Sequence, residues 1–137
     1  MAAGLFVACN NEQDNINNSE PSVIDTTATI YKRTPSENGY MIYRANCASC
    51  HSMGSKKIVG PGLQGITNRV PQPYDSWLKK YIRNNTAMLK SGDRYAKKIF
   101  VAYDSIVMPK YDSVLNDLQI TDLIAFLANP PKRPIQY

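Results

Sequence analysis

Soft metal ligands are nearly absent from this chain. Its 137 residues hold one histidine and three cysteines, too few for a structural zinc site, which wants four ligands, usually as two separated pairs. An odd cysteine count also disfavours a disulfide framework. No apolar run approaches the roughly 20 residues that cross a bilayer. Apolar and polar residues nowhere alternate convincingly over five or more positions, so strands are not expected. Lys and Arg are scattered rather than gathered in a run, and no nucleic-acid-binding motif is present. Nucleic acid is therefore not the expected partner.

What charge there is lies unevenly. The formal net charge is +5, yet Asn10 to Asp25 contains four acids (Glu12, Asp14, Glu20, Asp25) and no base. All 16 Lys and Arg stand elsewhere, giving a basic domain behind an acidic tail. An acidic protein is the partner that such a domain suits. Within the tail, Leu5-Phe6-Val7-Ala8 is apolar, and the stretch after Cys9 is mostly polar and Asn-rich. A small residue before such a cysteine resembles the end of a bacterial lipoprotein signal, although the basic n-region is missing. An unrelated free cysteine in a frayed terminus is the alternative. The expected organisation is a signal-peptide remnant over 1–8, a lipidated Cys9 with a flexible polar tether over 9–33, a folded domain over 34–131, and a tail over 132–137. Such a protein would sit, lipid-anchored, on the periplasmic face of a bacterial cytoplasmic membrane.

The folded part reads as about four short helices joined by long loops. "SENGYMIYRANCASCH" offers Ser36 as N-cap, with Met41, Ile42 and Ala45 on one side of a helix running into Cys47. "YDSWLKKYIRNN" has Asp75 as a candidate cap, then Trp77-Leu78, Tyr81-Ile82 and Asn85 at helical spacing. "GDRYAKKIFVAY" repeats the pattern with Tyr95, Ile99-Phe100 and Tyr103 until Pro109 breaks it. Asn116 and Gln119 form a capping-box pair ahead of a stripe of Leu118, Leu123, Ile124 and Leu127. The Gly- and Pro-rich loop between 52 and 74 is long enough to wrap something.

Two of the cysteines and the histidine are packed into Cys47-Ala48-Ser49-Cys50-His51. A disulfide there would close a tiny ring and staple nothing distant. A thioredoxin-like dithiol wants a preceding strand, which this pattern lacks. Cys-x-x-Cys-His is the signature of covalent c-type haem attachment, in which two thiols bind one porphyrin and the next residue faces the iron. A large flat apolar ligand would also supply core that short helices cannot.

With those residues in view, positions from about 36 to 128 resemble a class I cytochrome c. Gly39, Tyr43 and Cys47 match that family's spacing before the attachment site, and Phe126 holds the place of the aromatic where the first and last helices cross. The resemblance implies an all-α cytochrome c fold wrapped around one haem c held through Cys47 and Cys50. It implies His51 as one axial ligand, Pro61 as the carbonyl partner of His51, and Leu63 against the haem. Trp77 is similar to a family aromatic that reaches a propionate; a core role is its alternative. Tyr74, Tyr103 and Tyr111 are further candidates for propionate contacts. Lys56 and Lys57 either rim the exposed haem edge and steer an acidic partner or form ordinary solvated surface.

Four methionines follow the tail: Met41, Met53, Met88 and Met108. The resemblance assigns the second axial position to Met108, which precedes Pro109 and the final helix, with Met88 as the alternative. His/Met ligation implies a single-electron carrier between respiratory membrane complexes, or a cytochrome c subunit of one, and no enzyme. A haem c enzyme or gas sensor with a labile sixth ligand is the competing class. A peroxidase would want a distal histidine, and His51 is the only one.

Overall fold

The computed structural model describes Met1 and residues 33–131. Cys9, the tether around it and the tail 132–137 lie outside those residues. The chain falls into two units, Met1–Tyr31 and Lys32–Tyr137, and among its described residues the second carries five helices: α1 (Pro35–Asn46), α2 (Ile66–Arg69), α3 (Tyr74–Lys90), α4 (Arg94–Ala102) and α5 (Asp117–Ala128). Among the described residues there is no strand, only an isolated antiparallel bridge between His51 and Lys57. No described helix is long and apolar enough to cross a membrane.

The all-α expectation holds, with five helices instead of about four. The addition is α2, one turn inside the loop of 52–74 and too short to display a period. The start of α1 also shifts. Thr34, not Ser36, is the N-cap: its hydroxyl accepts from Glu37 N–H, the Glu37 carboxylate accepts from Thr34 N–H at 2.7 Å, and Pro35 occupies the first turn. Ser36 instead donates to Asn129 O, tying the start of α1 to the end of α5. Asp75 does not cap α3 either, because that helix begins one residue earlier at Tyr74. Asp93 caps α4 through Ala96 N–H at 2.7 Å, and the Asn116–Gln119 box opens α5 as expected.

Helices α1 and α5 cross at Gly39, whose missing side chain lets Asp122 and Phe126 close on the α1 backbone. Tyr40 and Tyr43 then pack on the Phe126 ring, each at 5.5 Å between centroids. Since Gly39 and Tyr43 face α5, Met41 lies two residues off that face and is 39% exposed. Ile120, Leu123, Ile124, Phe126 and Leu127 bury the wide face of α5. Leu118 is 69% exposed, contrary to its place in the expected stripe. Its neighbour Asp117 is the residue turned to α3, where it pairs with Lys79 and Arg83.

Candidate functional site

Helix α1 delivers the cysteine cluster without unwinding it. Cys47 and Ala48 N–H groups bond to Tyr43 O at 2.8 and 3.0 Å, and those of Cys50 and His51 bond to Cys47 O at 3.0 and 2.9 Å. Two thiols and one imidazole thus share a single compact turn. Both thiols are free and half-buried. Burial, with a smaller contribution from Cys50, pushes the Cys47 thiol up to about 11, so at neutral pH it is a protonated thiol.

His51 is held from three directions. The Tyr43 hydroxyl donates to its carbonyl at 2.6 Å, Lys57 pairs with its backbone, and Nδ1 lies 2.8 Å from Pro61 O. A carbonyl can only accept, so the neutral ring carries its proton on Nδ1 and leaves a lone pair on Nε2. Burial raises the Tyr43 hydroxyl above the ordinary tyrosine range, with lesser help from Cys47 and Tyr40, and keeps it a donor. The loop returns over the ring through Val59 and Gly60 N–H groups, which bond to Cys50 O. A Cβ at Gly60 would stand 2.8 Å from Nδ1 and 2.9 Å from Nε2. Only glycine lets backbone lie there.

These residues open on a cavity of about 340 Å³ that Cys47, Cys50, His51, Pro61, Leu63 and Met108 all line, a size usual for small-ligand sites. The apolar face of α4 supplies Tyr95, Ile99 and Phe100 to the same walls, and Tyr103 follows at its C-cap. Met88 is buried in the core and Met53 packs against it, and neither lines the cavity. Among the described residues no group of three or more His, Cys, Asp or Glu is placed to hold a bare metal ion. Donors and cavity together therefore suit a bulky apolar group that brings its own metal.

Trp77 lines the cavity through its ring alone. Its indole N–H, a candidate for reaching a propionate, is donated to Asp93 Oδ2 at 3.2 Å. Asp93 caps α4 with one oxygen and so presents the other to Trp77. The ring stacks on Tyr81 at 4.8 Å and meets Tyr95 edge-on at 5.3 Å. Tyr103 and Tyr111 reach the cavity and Tyr74 does not. The Tyr111 hydroxyl is engaged by Asn46 O at 2.7 Å. Lys57 is tied to Asp104 at 2.7 Å and lies over the Tyr103 ring, while Lys56 is exposed.

Sequence reasoning missed the apolar lining residues Ile66, Val70, Ile106, Val107 and Leu115, and one charged residue. Arg69 is the single charged side chain on the cavity wall among the described residues, and it donates to Gly62 O at 2.5 Å. It ends the one-turn helix α2, where no periodicity signals a facing side. Its position just past "GPGLQGITN" was the only available clue.

Residues 36–130 match the family described as cytochrome c. Among curated proteins none matches the sequence. Two solved structures share the fold. The first is a cytochrome c from Rhodothermus marinus, with TM-score 0.58, 19% identity, and cover of 68% of this chain and 73% of that one. The second is the cytochrome c domain of the pp3183 protein from Pseudomonas putida, with TM-score 0.54, 29% identity, and cover of 65% and 83%.

Proposed function

This chain belongs to the cytochrome c family, and from that premise we propose a one-electron carrier with a single haem held by Cys47 and Cys50 and ligated by His51 and Met108. The family implies covalent haem c and haem-based electron transfer. The finer assignment rests on one observation: the Cys-x-x-Cys-His turn and Met108 line one largely apolar cavity.

Bound there, the group would supply a reversible iron(III)/iron(II) couple. The residues of this chain do the rest. Cys47 and Cys50 would hold the group covalently, each through one thioether bond. Pro61 O and Tyr43 OH hold the ring and carbonyl of His51, so Nε2 keeps its lone pair and direction. Met108 offers a thioether, which raises the reduction potential relative to two nitrogen ligands. Arg69 sets a cation beside the cavity, where it would offset carboxylate charge of the bound group. The aromatic and aliphatic walls exclude water. No residue is asked to move a proton during turnover, and ligation by both His51 and Met108 would favour electron transfer over substrate binding.

In this reading the carrier is a lipoprotein anchored through Cys9 on the periplasmic face of a bacterial membrane. It exchanges electrons with acidic docking surfaces of respiratory complexes, as a free carrier or a bound subunit. The Ala8–Cys9 junction and the basic domain behind an acidic tail support this.

Mass spectrometry of protein taken from its native membrane tests both parts. A haem-sized addition on the peptide holding Cys47 and Cys50, with acyl chains on Cys9, is expected. Unmodified Cys47 and Cys50 would overturn the carrier, and an intact Met1 the anchor.

A further inference from the structure

Helix α3 is continuous in name only. At Asn84 the backbone leaves helical geometry (φ −155°, ψ 80°), and the Asn84 side chain accepts from Ala87 N–H at 2.9 Å. Asparagine here acts as an N-cap in mid-helix, ending one segment and starting the next. The break leaves the Arg83 carbonyl free for other donors. It accepts from Tyr111 N–H at 3.0 Å and Asp112 N–H at 3.1 Å, both just beyond Met108. Asn84 Nδ2 adds a bond to the Asp112 carboxylate at 3.2 Å.

The residue after the break reaches the same segment. Asn85 is 1% exposed and donates from Nδ2 to the Met108 carbonyl at 2.8 Å. Among the described residues that is the only hydrogen bond made by residues 107–110. With no helix of its own, this stretch has its register set by α3.

We propose that the Asn84–Asn85 break is a clasp for the Met108 segment, and that Asn85 is a positioning residue governing how often the sixth iron position opens. The inference rests on the His51/Met108 reading above. Removing the Asn85 donor leaves the Met108 carbonyl without its partner while the loop is seated. Letting the loop swing away relieves that penalty, so the open population rises. An added ligand that binds only the open form then gains apparent affinity in proportion.

The test uses the oxidised full-length holoprotein and imidazole as probe. Asn85→Leu keeps the branched heavy-atom shape and removes the donor; apparent imidazole affinity should rise about tenfold. Asp112→Ala cuts the exposed tie to Asn84 and, being at the surface, leaves the fold intact. It should raise the affinity by about threefold. Thr34→Ala removes the cap of α1, away from the clasp, and should lower stability without moving imidazole binding. Unchanged affinity in Asn85→Leu and Asp112→Ala overturns the clasp, as does an equal rise in Thr34→Ala. The near-infrared sulfur–iron band of the untreated wild type separates the two layers of inference. If that band is absent, the ligand assignment falls and the clasp with it. If it is present while the variants bind imidazole as wild type does, only the clasp falls.

Discussion

Gly39 of α1 and Phe126 of α5 touch backbone to side chain: a Cβ added at Gly39 would stand 2.6 Å from Phe126 Cβ, and nearer still to the Asp122 carbonyl. Helix α1 carries the attachment turn at its end, so this crossing sets where Cys47, Cys50 and His51 enter the cavity. Gly39→Ala must push the helices apart or bend one of them. Overpacking of this kind costs about 1–3 kcal/mol, which a shift of the denaturant midpoint will measure. A midpoint equal to wild type would show that the helices have slack at the crossing.

Trp77 sits where two roles compete, and its N–H bond to Asp93 favours the structural one. Trp77→Phe keeps a ring between Tyr81 and Tyr95 and removes the donor to a carboxylate. Stability should fall by about 1.5–3 kcal/mol, while the reduction potential stays near that of wild type. A shifted potential with unchanged stability would return Trp77 to the propionate role.

Acid sensitivity should be traceable in part to Glu37. Hydrogen bonds from the Thr34 backbone and then its side chain hold this carboxyl below the ordinary glutamate range. A depressed folded-state value means the contribution is present above the unfolded value, about pH 4.3, and is lost as pH falls through the folded one. Wild type should therefore be more stable than Glu37→Gln at neutral pH, with the gap closing on acidification. Denaturant midpoints across that range read it directly; a gap independent of pH would contradict the assignment.

The parts of the site legible in sequence were those written locally. Gly39, Tyr43 and Cys47 repeat every four residues along one helix face, and Asn116 with Gln119 encloses a single turn. Much of what stayed hidden depends on segments far apart in sequence. Leu118 is exposed because 3.6 residues per turn place it opposite Leu123, Ile124 and Leu127, on the solvent side of α5. Asn85 falls in step with the period of α3, yet its task is to hold a carbonyl 23 residues later. Thr34 outranked Ser36 as a cap because Glu37, at the third position after it, completes the reciprocal bond. Only its place just past the Gly- and Pro-rich loop sets Arg69 apart from the other scattered bases.

An optical spectrum of the untreated protein tests the pairing of His51 with Met108 most directly. The reduced form should show sharp low-spin bands and the oxidised form a weak near-infrared sulfur band, neither altered by carbon monoxide. Met108→Ala should lose the near-infrared band, lower the potential and bind carbon monoxide. High-spin features in the untreated wild type, or an unchanged spectrum in Met108→Ala, would contradict the assignment.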